Sequence, residues 1–240
     1  LKQILKNDFV SISSLWNLND FYSELRQDAV PTVNSKGITG LDRARKDSYY
    51  LYQAHLSPKP MVHIGNWAWA YRAAQGTAKG EACQPVTVIS NAPRVELLLN
   101  NRSLGIHTVE EGVATYSQVP FRNGENRLEA IGYFDRDTVK DFCCIRFDVI
   151  APRLNDPETT FKTLNVLLGS KRYFEDRVSE TCWIPEQAYV PGSWGYVGGE
   201  ARRPKTKYGS LPASSMNILG TDADPIFQTQ REGIESFKAD

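Results

Sequence analysis

Few side chains in this sequence are placed to do chemistry, and the most suggestive is an indole. Trp16 follows residues 9–15, Phe-Val-Ser-Ile-Ser-Ser-Leu, a mix of β-branched, aromatic and small residues typical of a strand buried on both faces. In a parallel α/β barrel the C-terminal ends of the strands meet the substrate, so an aromatic at the end of such a strand is expected to face a ligand. The neighbouring carboxylates Asp20 and Glu24 lie four residues apart in a polar stretch. That polarity argues for solvated side chains rather than an acid/base pair. A second aromatic set, Tyr189, Trp194 and Tyr196, stands in the glycine-rich run 189–199. Its rings suit stacking on a pyranose or plugging a gap in their own module, and both readings stay open.

The other candidates are weaker. His63 and His107 are single histidines without partners in reach along the chain, and packing or surface roles are expected of both. Trp67 and Trp69 alternate as residues on one face of a strand do, and burial is expected. The cysteines are Cys83, the adjacent pair Cys143 and Cys144, and Cys182. Adjacent strand residues point to opposite faces, so Cys143 and Cys144 are not expected to bond each other, whereas a bridge from Cys83 to one of them stays open. The spacing matches no zinc pattern, and acids such as Asp222 and Asp224 are too sparse to specify a metal site.

Composition removes several classes of partner. Lys plus Arg and Asp plus Glu both number 28, so the formal net charge is zero and no electrostatic footprint points to nucleic acid or an anionic membrane. No apolar run approaches the roughly 20 residues of a membrane helix, so no membrane insertion is expected. Five Trp, eleven Tyr and ten Phe suit sandwich cores first and sugar stacking second.

The elements that must position these side chains fall into three groups. Leu1, Ile4 and Leu5 read as the tail of a helix. After Trp16 a polar loop is expected through Pro31 and Asn34-Ser35-Lys36-Gly37, followed by a helix with Asp42 as N-cap and an aromatic face of Tyr49, Tyr50 and Tyr52. Ser57-Pro58-Lys59-Pro60 marks a boundary. Beyond it, strands are expected at 61–64, 85–89, 94–99, 114–119, 126–133 and 138–149, separated by turns rich in Asn, Pro and Gly, in a length usual for an immunoglobulin-like sandwich. The Pro- and charge-rich residues 151–158 read as a linker, and an apolar strand is expected at 161–168.

Trp16-Asn17-Leu18-Asn19-Asp20-Phe21, followed by Lys36-Gly37-Ile38, Asp42-Arg43 and Lys46-Asp47-Ser48-Tyr49-Tyr50, resembles the end of the catalytic barrel of glycoside hydrolase family 2, nearest to its bacterial β-galactosidase-like members. The run 90–105 resembles the sandwich that follows that barrel. Leu164-Asn165-Val166, the aromatic-glycine loop and residues 224–231 resemble the first part of a malectin-like carbohydrate-binding sandwich. The fold class implied is mainly β: an immunoglobulin-like β-sandwich over 58–150 and part of a malectin-like β-sandwich over 161–240, joined by a linker at 151–160. The last βα unit of a (β/α)8 barrel precedes them over 1–57.

The resemblance implies a retaining hydrolase of β-linked glycans, needing no redox cofactor and using two carboxylates about 5–5.5 Å apart. In the family both glutamates sit on earlier barrel strands, upstream of Leu1, so no catalytic residue is expected in this chain, which alone should cleave nothing. Trp16 matches the position beside the sugar being cleaved. The expected partners are an oligo- or polysaccharide and the remainder of the parent enzyme, in a bacterial periplasmic or extracellular setting. The rival expectation is a non-catalytic carbohydrate-binding or scaffold module of a polysaccharide-degrading system.

Overall fold

The structure is a computed structural model, and it describes all residues except 28–30, 78–79, 152, 155–162, 203–204, 207–208, 211–217 and 222. The described residues are mainly β, with 50% in strands and 8% in helices. Two compact units are distinguished. The first comprises Leu1–Trp67, Pro85–Ser117 and Arg127–Cys143, and the second Ala68–Gln84, Gln118–Asn126 and Cys144–Asp240.

The first unit begins with the short helix α1 (Lys2–Leu5) and an extended segment that reaches Trp16. Residues 9–15, read from sequence as a doubly buried strand, form no strand here, and Phe9 and Ile12 are 84% and 86% exposed. A parallel strand of that kind is held by ladder partners on both sides, and among the described residues none runs beside it. The expected polar loop is instead largely an antiparallel hairpin of β1 (Phe21–Gln27) and β2 (Pro31–Asn34), with Phe21 opposite Asn34 and Tyr22 opposite Val33. Helix α2 (Asp47–Leu56) follows.

The N-cap of α2 is Lys46 rather than Asp42. Asp42 closes the preceding turn, where its Oδ1 accepts the Ala44 N–H at 3.0 Å. The helix packs through Tyr50, Leu51 and Ala54 on Met61 and Ile89.

Strand β3 (Val62–Ile64) follows, with β4 (Tyr71–Gln75) and β5 (Glu81–Ser90) beyond it. The sheets continue with β6 (Arg94–Leu99), β7 (Arg102–Thr108), β8 (Val113–Arg122), β9 (Gly124–Tyr133) and β10 (Thr138–Ile150). In the first unit one sheet runs β10-β9-β6-β7 and the other β3-β5-β8. Alternation drives this: Val95, Leu97, Leu128 and Ala130 are fully buried while their neighbours along each strand are not. Each large aliphatic taken from water in this way is worth about 1.5–3 kcal/mol. Tyr116 of β8 stitches the sheets together, its hydroxyl donating to Val95 O at 2.9 Å or Gly105 O at 3.1 Å. Strand β7 lies within what reads as one long turn; the turn itself is confined to Asn100 and Asn101, both at positive φ, and Gly105, also at positive φ, lies inside the strand.

In the second unit β4, also unforeseen, pairs in parallel with the C-terminal half of β10, from Tyr71 opposite Arg146 to Gln75 opposite Ile150. Phe121 of β8 and Phe147 of β10 stack with centroids 4.9 Å apart. Farther along stand β11 (Val166–Leu167), β12 (Phe174–Asp176) and β13 (Thr181–Pro185), then β14 (Trp194–Ala201), β15 (Lys205–Thr206) and β16 (Gly209–Ser210). The short helix α3 (Asp224–Phe227) and β17 (Arg231–Ala239) complete the order. Strands β11 and β12 flank β13, and β14 pairs with β17 as an antiparallel ribbon. The apolar strand expected at 161–168 is reduced to β11, its first two residues lying outside the described set, as do most of the expected linker and Asp222.

Candidate functional site around Trp16

Trp16 is 74% exposed, at a bend. The backbone on its C-terminal side is fixed by residues twenty positions on. Ile38 N–H donates to Asn17 O at 3.2 Å, Thr39 N–H to Leu18 O at 3.0 Å, and Asp20 N–H to Thr39 O at 2.9 Å. Thr39 adds its hydroxyl, which lies 2.7 Å from Asn19 Oδ1 and 3.0 Å from Leu18 O. A third layer joins from the other side, with Lys46 N–H donating to Ile38 O at 3.0 Å. The indole is therefore carried by a short stack of three segments joined by backbone hydrogen bonds.

Gly37 makes the close approach feasible. A Cβ there would stand 2.3 Å from both the Asn19 carbonyl carbon and the Asp20 nitrogen, a separation no side chain tolerates. Buried Asn34 orders the same loop by accepting the Lys36 N–H at 3.2 Å. Lys36 is exposed, and no carboxylate lies within ion-pair distance of its ammonium among the described residues. Lys46, by contrast, is committed to Asp20 at 2.7 and 2.8 Å.

This arrangement offers an apolar platform, an available cation and ordered amides, which can bind and orient a ring. It does not offer an acid/base pair, because Asp20 is engaged by Lys46 and by the Gly37 N–H, and the Glu24 side chain lies outside the described set. The sequence singles out Trp16 as a ligand contact but assigns no such role to Asn34 or Lys36; the segment 34–38 enters there as a surface turn and, through Lys36-Gly37-Ile38, as part of the family resemblance.

The second aromatic set is placed differently. Trp194 begins β14 and is 2% exposed, packed with Ala73, Ile150, Cys182 and Ile184, so its indole presents no open face to a pyranose. Tyr189 is half-buried and donates its hydroxyl to Asp240 Oδ2 at 2.6 Å. That bond, together with the Gly192 N–H at 2.6 Å, holds the Asp240 carboxyl below its usual range. Tyr196 has the Arg231 guanidinium 3.4 Å over its ring. Tyr189 and Tyr196 meet through the Tyr189 N–H donating to Tyr196 O at 2.9 Å. The sequence segments 186–199 and 231 thus form a mutually braced node, with one face of Tyr196 occupied.

The histidines also depart from expectation. His63 is 5% exposed, with Nε2 3.5 Å from Asp47 Oδ1 and Nδ1 3.4 Å from Asp141 Oδ2, rather than without partners. Burial alone would push its pKa down, but the bonds and charges of Asp141 and Asp47 outweigh burial and raise it above 6.5. His107 is exposed and stacked on Tyr116 with centroids 4.0 Å apart. All four cysteines are free thiols, so no bridge from Cys83 forms. Among the described residues no group of three or more His, Cys, Asp or Glu could hold a metal ion.

Residues 82–140 match a family described as Domain of unknown function (DUF4982), less than half of the chain. A protein of Formosa agariphila provisionally named a β-glucuronidase is 31% identical over 152 residues, covering 60% of this chain and 18% of that protein. A β-galactosidase of Bacteroides ovatus is 31% identical over 108 residues, 44% of this chain and 12% of that protein. The crystal structure of a Bacteroides uniformis β-glucuronidase superposes with a TM-score of 0.80 at 34% identity, over 94% of this chain and 26% of that one. This chain thus spans about a fifth to a quarter of the length of the first relatives it matches. These homologues are glycoside hydrolase family 2 proteins, the resemblance expected from the sequence.

Proposed function

We propose that this chain is a C-terminal portion of a retaining glycoside hydrolase, and that its Trp16 loop completes the sugar subsite of the parent enzyme. The carrying observation is Trp16, held 74% exposed on a hydrogen-bonded three-segment stack that packs against the Gly37 turn. The chemistry of that turn favours a sugar with a carboxylate. Lys36 presents an unengaged ammonium on the turn whose next residues, Ile38 and Thr39, bond to the segment after Trp16, and an ammonium close to a carboxylate contributes a charge-assisted hydrogen bond. A neutral hexose gives such a cation nothing comparable. The relatives named β-glucuronidases support a uronide over a galactoside as the preferred substrate.

In this reading the acid/base and nucleophilic carboxylates come from residues other than those described here, about 5–5.5 Å apart as retention requires. The chain by itself binds weakly and is inactive. The sandwich strands brace the barrel, the second unit carries the malectin-like part, and the whole acts on glycans in the periplasm or outside the cell.

The test uses the full-length protein and a pair of aryl glycosides with one leaving group, a β-glucuronide and a β-galactoside. Preference for the glucuronide, lost in Lys36→Gln by about tenfold in kcat/KM as befits one charge-assisted bond, is the expected result. Equal turnover of both substrates, unaffected by Lys36→Gln, would sink the uronide assignment.

A further inference from the structure

Lys36 sits on an exposed turn, yet the two peptide groups flanking it are gripped from opposite sides by a single ion pair. Asp20 Oδ1 accepts the Gly37 N–H at 2.9 Å, on the C-terminal side of Lys36. Lys46 Nζ donates to Ser35 O at 3.1 Å, on its N-terminal side. The grips are joined, because the same Nζ lies 2.7 Å from Asp20 Oδ1 and 2.8 Å from Oδ2. The Asp20 side chain is only 10% exposed and that of Lys46 35%, so the pair is partly shielded from solvent and from salt.

The pair also fixes where this grip is anchored. Asp20 follows the Trp16 bend by four residues, and Lys46 is the N-cap of α2. The segment bearing the aromatic platform, the turn bearing the available cation and the start of a packed helix therefore meet at one carboxylate–ammonium contact. Neutralising Lys46 with Asp20 leaves Lys36 as the net positive charge of the turn.

We propose that Asp20 and Lys46 are positioning residues that hold Lys36 at a set distance from Trp16, and so determine the preference for a carboxylate-bearing sugar. This rests on the uronide reading given above. Neither residue touches the sugar. Their removal lets the 34–38 turn drift, and a displacement on the order of 1 Å is enough to forfeit a directed charged contact. The effect falls on the discrimination between acidic and neutral sugars, not on catalysis in general.

The experiment compares the full-length protein with its Asp20→Asn, Lys46→Gln, Lys46→Arg and Asp20→Asn/Lys46→Gln variants. Two readouts are taken: the ratio of kcat/KM on the aryl glucuronide to that on the aryl galactoside, and amide hydrogen exchange of residues 34–38. Asp20→Asn and Lys46→Gln should each lower the ratio about tenfold, mainly through KM for the glucuronide. The double variant should be no worse than either single, because the residues act as one unit. Lys46→Arg should restore part of the ratio, and Asp20→Asn in a Lys36→Gln background should change it no further.

Exchange at Gly37 should quicken in Asp20→Asn while strand β6 stays protected. An unchanged ratio in Asp20→Asn, with faster exchange at Gly37, would overturn the assignment. If the unmodified enzyme shows no glucuronide preference, the functional reading fails; unchanged Gly37 exchange in Asp20→Asn would mean that the ion pair does not hold the turn.

Discussion

The imidazole of His63 lies flat on the phenol ring of Tyr50, centroids 3.5 Å apart and planes inclined by 16°, which fastens β3 to helix α2. The same imidazole lies between Asp47 at the start of that helix and Asp141 on β10. One residue thereby ties the helix to both sheets of the first unit, through an aromatic face and two carboxylates.

This arrangement predicts a defined pH window. The folded-state pKa of His63 is raised above 6.5, so its contribution is complete below that value and is lost as pH rises through the raised one. The Asp141 pKa is lowered below 3.8; burial opposes this, but the bond to His63 and the Ile64 N–H outweigh it. Its contribution is present above 3.8 and lost as pH falls through the lowered value. Stability should therefore decline as pH rises from 6.5 through the raised value, and His63→Gln should flatten that decline. Urea unfolding of both proteins across this range is the check, and an identical slope in the variant would contradict the assignment.

A buried ion pair in the second unit gives a stronger prediction. Arg231 donates from Nε to Glu186 Oε2 at 2.8 Å and from Nη2 to Oε1 at 2.7 Å, with both side chains 7% exposed. Gly169 N–H completes the carboxylate at 2.6 Å, and Gly199 O accepts from Nη1 at 2.5 Å. Glu186→Gln should destabilise the fold by about 3–5 kcal/mol, since it strands a buried guanidinium. Arg231→Lys should recover little, because an ammonium cannot reproduce the planar fork. Thermal unfolding with circular dichroism is sufficient to read both.

How much of this was legible in the sequence depends on the range of the interaction. The strands of the sandwich were, because burial on alternate positions of β6 and β9 writes itself into the chain as Val95, Leu97 and Leu128, Ala130. The three nodes that do most to fix local geometry were not. Asp20 and Lys46 are 26 residues apart, Glu186 and Arg231 45, and His63 and Asp141 meet only through β10. No periodicity links such partners. The segment 9–15 shows the opposite failure: its composition is that of a buried strand, but a strand also needs ladder partners, and composition cannot supply them.

Trp194 separates packing from recognition. Its side chain fills the cluster of Ala73, Ile150, Cys182 and Ile184 and stacks near Phe237 at 6.2 Å. Trp194→Ala should cost about 3–5 kcal/mol of stability by leaving a large cavity. At a temperature where the variant is still folded, calorimetry against galactans and glucans should show binding unchanged from the parent. A selective loss of binding with native stability would reverse that assignment.

Trp16 should behave as the mirror image. At 74% exposure its indole contributes little to folding, so Trp16→Ala should leave the unfolding free energy within about 0.5 kcal/mol of the parent. In the full-length enzyme the same change removes the platform against which the sugar ring is set, and kcat/KM should fall by about tenfold or more, the loss of one aromatic stacking contact in a closed site. Trp16→Phe, which keeps an apolar face of smaller area, should lie between. Because Lys36 is held by Asp20 and Lys46 rather than by the indole, the glucuronide-to-galactoside ratio should survive Trp16→Ala even as both rates drop. Steady-state kinetics on the two aryl glycosides decides the matter: parallel losses assign Trp16 to the ring common to both sugars, whereas a loss confined to the glucuronide would assign it to the carboxylate.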